Sequence, residues 1–122
     1  MAYHECIRFG GNFYCYVWMG SGNNCNSILL CNVLRGEHPH VLIDPGHIRN
    51  ELGELCFESL TQAVEDEGFK MEDVGLVIAT HSHPDHFEAV ATVVEKSGAL
   101  ATLSQEEDEF YRQRGKMLFS AF

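Results

Sequence analysis

The sequence has few basic residues: 8 lysines and arginines stand against 18 aspartates and glutamates, which gives a formal net charge of −10. A surface with this balance repels polyanions unless basic side chains cluster locally. The nearest grouping, Arg112, Arg114 and Lys116, follows the acidic run 106–109, an order typical of a helix with acidic residues early and basic residues late. We therefore expect no nucleic-acid partner.

Long apolar runs and paired cysteine motifs are also missing. No stretch approaches the roughly 18 apolar residues of a membrane-spanning helix, and residues 1–5 do not begin a secretory signal. The five cysteines are an odd number without a CxxC pair, which favours reduced thiols; a cysteine zinc site is the alternative interpretation. These absences predict a cytoplasmic protein without a membrane partner.

The length and composition of the chain suit one globular domain with a hydrophobic core. A chain of 122 residues can bury about two-thirds of its unfolded surface, and no repeat or low-complexity linker divides it. Gly and Asn turns separate short apolar runs in the first half, and from residue 50 helical and strand patterns alternate. This order predicts an α/β fold with a mixed sheet and helices packed on one face.

The individual elements follow from hydrophobic periodicity and turn residues. Strands are predicted over 13–19, 26–34, 41–43, 74–79 and 99–103, and helices over 50–67, over 87–96 and after a capping box formed by Ser104 and Glu107. The glycines of segment 20–24 indicate a hairpin turn and not a phosphate-binding loop, because strands flank them and no lysine follows.

Four ligand-type side chains follow the apolar strand 74–79 within six residues. Imidazole nitrogens and carboxylate oxygens are good ligands for zinc and similar divalent metals. His81 and His83 are two residues apart, so in an extended segment they point the same way and can share one ion. Asp85 and His86 lie one turn further on and can face a second ion. The alternative is a polar helix N-terminus with incidental histidines, capped by Asp85.

The segment Thr80-His81-Ser82-His83-Pro84-Asp85-His86 resembles the T-H-x-H-x-D-H motif of the metallo-β-lactamase superfamily. The segment Val41-Leu42-Ile43-Asp44-Pro45-Gly46 resembles the strand-Asp-x-Gly motif of the same family, and residues 26–30 resemble the strand before it. The likeness spans residues 12–104 approximately. It implies the N-terminal half of an αββα sandwich.

The resemblance also implies a role for each site residue. His81 and His83 would bind the first metal ion, and Asp85 and His86 the second. Asp85 would also orient or deprotonate the attacking water. Asp44 would fix the orientation of the ligands through hydrogen bonds; its alternative is a turn-forming aspartate before Pro45. The expected cofactor is a pair of zinc ions, with iron or manganese as alternatives.

The sequence departs from the family after the first motif. The family completes its site with two more histidines and a bridging aspartate, but here no histidine follows His86 and the only later aspartate is Asp108. We therefore expect residues 1–122 to be one incomplete domain of a metal-dependent hydrolase that directs zinc-activated water at an ester, thioester or related bond of a small molecule. The alternative is a non-catalytic metal-binding or interaction module completed by a partner chain.

The same comparison predicts how the chain behaves in solution. In the family one face of the sheet packs on a second sheet, most of which this sequence lacks. An uncovered apolar face of this kind marks association or aggregation. We expect self-association through that face.

His47, which follows the Asp44 turn, either reaches the mouth of the site or is an exposed loop histidine.

Overall fold

The computed structural model describes residues 3–80 and 82–103, which form one mixed sheet with helices on it. The strands in these ranges are β1 (His4–Gly10), β2 (Phe13–Trp18), β3 (Ser27–Leu30), β4 (His40–Ile43), β5 (Val74–Ala79) and β6 (Leu100–Leu103). The helices are α1 (Cys56–Asp66), α2 (Pro84–Phe87) and α3 (Val90–Ser97), with a 3-10 turn at Met71–Asp73 before β5. None of these helices has the length and apolar character that a membrane span requires.

The strands lie in the sheet in the order of the sequence, β1-β2-β3-β4-β5-β6. The first four pair antiparallel as a meander, whereas β4, β5 and β6 pair parallel. Parallel neighbours need a crossover connection, and the segments with α1 and with α2–α3 supply the two crossovers. The predicted mixed sheet is confirmed. Because β4 and β5 are parallel, their C-terminal ends lie side by side at one end of the sheet, which is where the candidate site is found.

The core lies between the helices and one face of the sheet. Tyr14, Leu29, Leu42 and Val77 are paired in register across β2 to β5 and are all buried. Residues from both longer helices, among them Leu60 and Val93, belong to the same cluster. Burying each such side chain stabilises the fold by roughly 1.5–3 kcal/mol. The helices therefore cover one face of the sheet, as predicted.

The opposite face of the sheet is also apolar. Ile28, Ile43 and Ile78 are paired in register across β3, β4 and β5 and remain partly exposed. At the edge of the sheet Leu100 is 75% exposed. Within the ranges that the structure describes, this second face is therefore covered less completely than the first.

Two helix predictions need correction. The helix predicted over 50–67 begins only at Cys56, because Asn50 Oδ1 accepts the backbone N–H of Leu52 and of Glu54, each at 3.1 Å. This local turn competes with helical hydrogen bonding. The single helix predicted over 87–96 is two helices, since the N–H of Ala89 donates to Gly46 across the fold and the chain bends between Phe87 and Val90.

Two strand predictions also change. Strand β1 was missed because polar His4, Glu5 and Arg8 interrupt its apolar pattern at the sheet edge. The strand predicted over 26–34 is shorter, and it ends before Asn32, which has a positive φ of 57°. The helix predicted from Ser104 lies outside the described residues.

A buried histidine fastens α1 to β1. The Nδ1 atom of His4 lies 2.8 Å from Ser59 Oγ, and the N–H of Tyr3 donates to the same oxygen at 2.7 Å. Burial lowers the pKa of His4 to about 4, because the charged imidazolium is poorly solvated there. His4 is therefore neutral in the folded protein at neutral pH.

Candidate metal centre

The candidate site lies where parallel strands β4 and β5 end side by side. Asp44 follows β4, and Thr80 follows β5 and begins the histidine-rich segment. In sheets with parallel strands, the carboxyl ends are where loops usually carry binding and catalytic groups. The two motifs are separated in sequence by 36 residues, and the strand pairing brings them together.

Asp44 connects the two strand ends through its carboxylate. Its Oδ1 accepts the backbone N–H of Thr80 at 2.7 Å, and its Oδ2 accepts the Thr80 hydroxyl at 2.6 Å. The carbonyl oxygen of Asp44 accepts the hydroxyl of Ser27 at 2.6 Å. The residue has a positive φ of 53°, a conformation that Asp and Asn tolerate better than most residues. Asp44 is thus a structural link as well as a turn residue.

The same carboxylate fixes the ring of His86. Its Oδ2 lies 3.1 Å from His86 Nδ1. A carboxylate oxygen accepts hydrogen bonds, so this contact favours the tautomer of the neutral ring with the proton on Nδ1, which leaves the Nε2 lone pair for a ligand. This carboxylate–imidazole arrangement is the one that usually supports a metal-binding histidine.

Asp85 and His86 have compatible positions for ligands of one ion. Asp85 Oδ2 lies 3.9 Å from His86 Nε2, and the two side chains are 27% and 23% exposed. Zinc binds such atoms at about 2.0–2.2 Å in tetrahedral geometry, so two ligands of one ion stand roughly 3.3–3.6 Å apart. The two donors are a few tenths of an ångström further apart than this, and a small rotation of the Asp85 side chain would bring them to the separation of a shared zinc ion.

The turn after Asp44 also holds the helix that carries these residues. The N–H of Gly46 donates to the carbonyl of His86 at 3.2 Å, and the N–H of Ala89 donates to the carbonyl of Gly46 at 2.9 Å. Gly46 has a φ of 84°, and a Cβ there would lie 2.5 Å from Asn24 Oδ1. Glycine is therefore required at this position.

Of the other two predicted ligands, the structure describes His83 but not His81. His83 precedes α2, and its carbonyl accepts the N–H of His86 and of Phe87 at 2.9 and 3.0 Å. His81 lies outside the described residues. Across 3–80 and 82–103, no group of three or more His, Cys, Asp or Glu is arranged to hold a metal ion. The four-ligand set that includes His81 stays a prediction.

His47 is a partly buried residue and not an exposed loop histidine. Its Nδ1 lies 3.3 Å from Glu88 Oε1, and the same oxygen accepts the N–H of Ile48 at 2.7 Å. Glu88 therefore joins the segment after Asp44 to the end of α2. No local pattern signals this contact, because the partners are about 40 residues apart.

Cys25 borders the site as a neutral thiol. Burial, together with the nearby carboxylates of Asp44 and Asp85, raises its pKa to about 12. Its Sγ donates to the carbonyl of Asp44 at 3.3 Å. The thiolate is the form that binds metals, so this geometry gives no support to a cysteine zinc site at Cys25.

A family model described as the metallo-beta-lactamase superfamily matches residues 20–122 of this chain. No curated protein matches it at a significant level.

Solved structures of metallo-beta-lactamases resemble the fold. The Rm3 metallo-beta-lactamase is 29% identical with a TM-score of 0.65, over 87% of this chain and 34% of that one. A metallo-beta-lactamase from Cronobacter sakazakii is 23% identical, with a TM-score of 0.65 over 93% and 40%. BJP-1, a subclass B3 metallo-beta-lactamase of Bradyrhizobium japonicum, is 19% identical, with a TM-score of 0.67 over 89% and 36%. The chain thus spans little more than a third of the length of these proteins.

Proposed function

Because this chain belongs to the metallo-beta-lactamase superfamily, we propose that it supplies the first group of metal ligands of a metal-dependent hydrolase. His81 and His83 are the proposed ligands of one ion, and Asp85 and His86 those of a second. Zinc is the proposed metal, with iron and manganese as alternatives. Zinc ions in such sites activate water for attack on an electrophilic centre. The proposed substrate is a small molecule with an ester, thioester or related bond.

The observation that carries this proposal is the arrangement of Asp44, His86 and Asp85. Asp44 holds the Nδ1 side of the His86 ring at 3.1 Å, so that Nε2 faces the Asp85 carboxylate at 3.9 Å. A helix N-terminus with incidental histidines would not need a buried carboxylate behind one of them. The arrangement places a nitrogen and an oxygen donor 3.9 Å apart and holds the nitrogen's ring from its other side.

The protein groups have separate tasks in the proposed reaction. Asp44 keeps the proton on His86 Nδ1 and fixes the start of the loop through Thr80. Asp85 is proposed to orient the attacking water and to accept its proton, since its carboxylate is partly exposed beside the donors. The net charge of −10 disfavours nucleic acid as the substrate.

A non-catalytic module is the second candidate. The proposed ligands in this sequence number two for each ion, whereas catalytic zinc sites normally use three protein ligands and a water. Another segment or a partner chain would therefore have to complete the site. A module of this kind binds metal without hydrolysing a substrate.

Metal binding by the purified chain tests both candidates. Competition with a chromophoric chelator measures zinc affinity for the wild type and for His86→Ala, with His38→Ala as the control because His38 is exposed and contacts Glu72, away from the site. We expect weak binding by the wild type and the control, and at least tenfold weaker binding by His86→Ala. Equal affinities for all three proteins would contradict the proposed ligands.

Hydrolysis then separates the candidates. The zinc-loaded chain is assayed with chromogenic thioester, aryl ester and β-lactam substrates, and the same variants are compared. Turnover that His86→Ala abolishes supports the enzyme. Zinc binding without turnover of any of these substrates agrees with the module, and equally with an enzyme whose site needs further ligands.

A further inference from the structure

Two carboxylates hold the loop between β2 and β3, residues 20–24. Glu54 accepts the backbone N–H of Ser21 at 3.1 Å and of Gly22 at 2.7 Å, one with each oxygen. Both oxygens of Glu51 lie within reach of the N–H of Asn23, at 2.9 and 3.0 Å. Three successive backbone donors of the loop therefore bind charged acceptors, and such hydrogen bonds are about twice as strong as neutral ones.

Glu54 is itself fixed by a buried neighbour. The side-chain amide of Asn50 donates to Glu54 Oε1 at 2.9 Å. This hydrogen bond and those from Gly22 and Ser21 lower the pKa of the Glu54 carboxyl. Glu54 is thus a charged acceptor at neutral pH, and its Oε1 accepts from both Asn50 Nδ2 and the Gly22 N–H.

The loop approaches these groups closely because it contains glycine. A Cβ at Gly22 would lie 2.5 Å from Asn50 Nδ2, and a Cβ at Gly20 would overlap the indole ring of Trp18. The indole N–H of Trp18 donates to the carbonyl of Gly22 at 2.8 Å. With hydrogen bonds on both sides of Gly22, the backbone of the loop has a defined path up to Asn23.

That path places the side chain of Asn23 at the candidate metal centre. Asn23 Nδ2 lies 3.4 Å from Asp85 Oδ2, across 62 residues of sequence. This is the oxygen that faces His86 Nε2 at 3.9 Å. A carboxylate oxygen has two lone pairs, so an amide donor on one of them leaves the other for an ion.

We propose that Asn23 is a positioning residue that holds the Asp85 carboxylate ready for a metal ion, and that Glu51 keeps Asn23 in place. The inference rests on the proposed function of Asp85 as a ligand. Asp85 lies on a four-residue helix and is 27% exposed, so its carboxylate rotates more freely without a neighbouring donor. Ordering it in advance removes part of the entropy cost of binding an ion.

Zinc and cobalt(II) binding to the full chain test this inference. Asn23→Ala removes the amide, and Glu51→Gln weakens the hydrogen bonds to the Asn23 N–H. Ser21→Ala is the matched control, since it lies in the same loop and keeps its backbone bond to Glu54. Zinc affinity is measured by chelator competition, the cobalt(II) absorption spectrum reports ligand geometry, and urea unfolding reports stability.

We expect Asn23→Ala to weaken zinc binding about tenfold, the lower end for residues that orient ligands, because the contact is long. The cobalt spectrum should change, while the urea midpoint stays at that of Ser21→Ala. Glu51→Gln should weaken binding in the same direction. The double variant should bind no more weakly than Asn23→Ala, because Glu51 acts through Asn23.

The outcomes separate this inference from the proposed function. A wild-type chain that binds neither ion overturns both. Wild-type binding with affinity and spectrum unchanged in Asn23→Ala overturns the inference alone. Additive losses in the double variant would show that Glu51 does not act through Asn23, and that part of the proposal would then be wrong.

Discussion

Replacing Asp44 by Asn changes one atom at the centre of the hydrogen-bond network. Asn is suited to the positive φ of 53° at this position, so the backbone should keep its conformation. The carboxylate accepts hydrogen bonds from Thr80 N–H, from the Thr80 hydroxyl and from His86 Nδ1. The amide offers one acceptor and one donor group in their place.

The orientation of the new amide follows from its partners. The backbone N–H of Thr80 can only donate, so the amide oxygen should take the place of Oδ1, 2.7 Å from that nitrogen. The NH2 group then faces the Thr80 hydroxyl, which can rotate and accept. It also faces His86 Nδ1, which can accept only if the ring moves its proton to Nε2.

This tautomer change predicts a larger effect on metal binding than on folding. Two hydrogen bonds become neutral but are not lost, so the free energy of unfolding should fall by about 1–3 kcal/mol. The proton on Nε2 blocks the nitrogen proposed to bind the ion, so zinc affinity should fall by about 10–100-fold. The same substitution at exposed Asp66, whose Oδ1 accepts from Gln62 Nε2, should leave both quantities unchanged.

Three measurements check the prediction. Long-range nitrogen–proton NMR spectra identify the protonated nitrogen of His86, chelator competition gives zinc affinity, and urea unfolding gives stability. An Asp44→Asn protein that keeps the proton on Nδ1 and binds zinc within twofold of the wild type would refute the reasoning.

Three further predictions concern stability and association. His4 has a pKa of about 4 in the folded chain against 6.5 as its ordinary value, so the unfolded state binds its proton more tightly and stability falls as the pH drops below 6.5. The loss from His4 at pH 4 is about 3 kcal/mol, so the fall in stability between neutral pH and pH 4 in urea unfolding should be larger in the wild type than in His4→Gln. His40 and Glu54, whose pKa values are also lowered, contribute to the fall in both proteins. Leu60→Ala removes a fully buried side chain and should lower the free energy of unfolding by roughly 2–5 kcal/mol. Leu52→Ala, at a side chain that is 61% exposed, should change the free energy of unfolding by no more than about 0.5 kcal/mol in the same assay. Because the isoleucine face is partly exposed, the chain should elute from size-exclusion chromatography at an apparent mass above its monomer mass of 13.7 kDa. Ile28→Lys should shift the elution toward the monomer. A wild-type chain that is monomeric at all concentrations would contradict this prediction.

The parts of the fold that could be predicted are those with a local cause. The apolar run of β5 and the turn at Asp44-Pro45-Gly46 each carry their own pattern, and both elements are where the sequence predicted them. Gly98 ends α3 with a φ of 74°, as a left-handed glycine should. The start of α1 could not be predicted from apolar spacing, because the side chain of Asn50 captures the backbone donors that a helix would have used.

The residues of the candidate site can also be sorted into those with a signal in the local sequence and those without one. The motif 80–86 is visible in the sequence because four ligand-type residues follow an apolar strand, whereas the role of Asp44 was implied only by the resemblance to a family motif. Asn23, Glu51 and Glu88 had no such signal, since Asn23 lies in a turn and the two glutamates look like ordinary surface charges. Their contacts span 62, 28 and 40 residues, respectively. Which loops contact each other is determined by the pairing of the strands in the folded sheet.

Hydrogen bonds between the described residues order part of the candidate site. Asp44 holds Thr80 and His86, Gly46 bonds to the helix on both sides of Phe87, and the loop with Asn23 reaches Asp85. These contacts come from the segments after β2, β4 and β5, so the register of β2 to β5 sets the spacing of the donors. Such hydrogen bonds restrain the side chains from behind, and this restraint lowers the ordering cost of the metal binding that we propose. Further ligands would then add affinity to donors that the fold already holds close together.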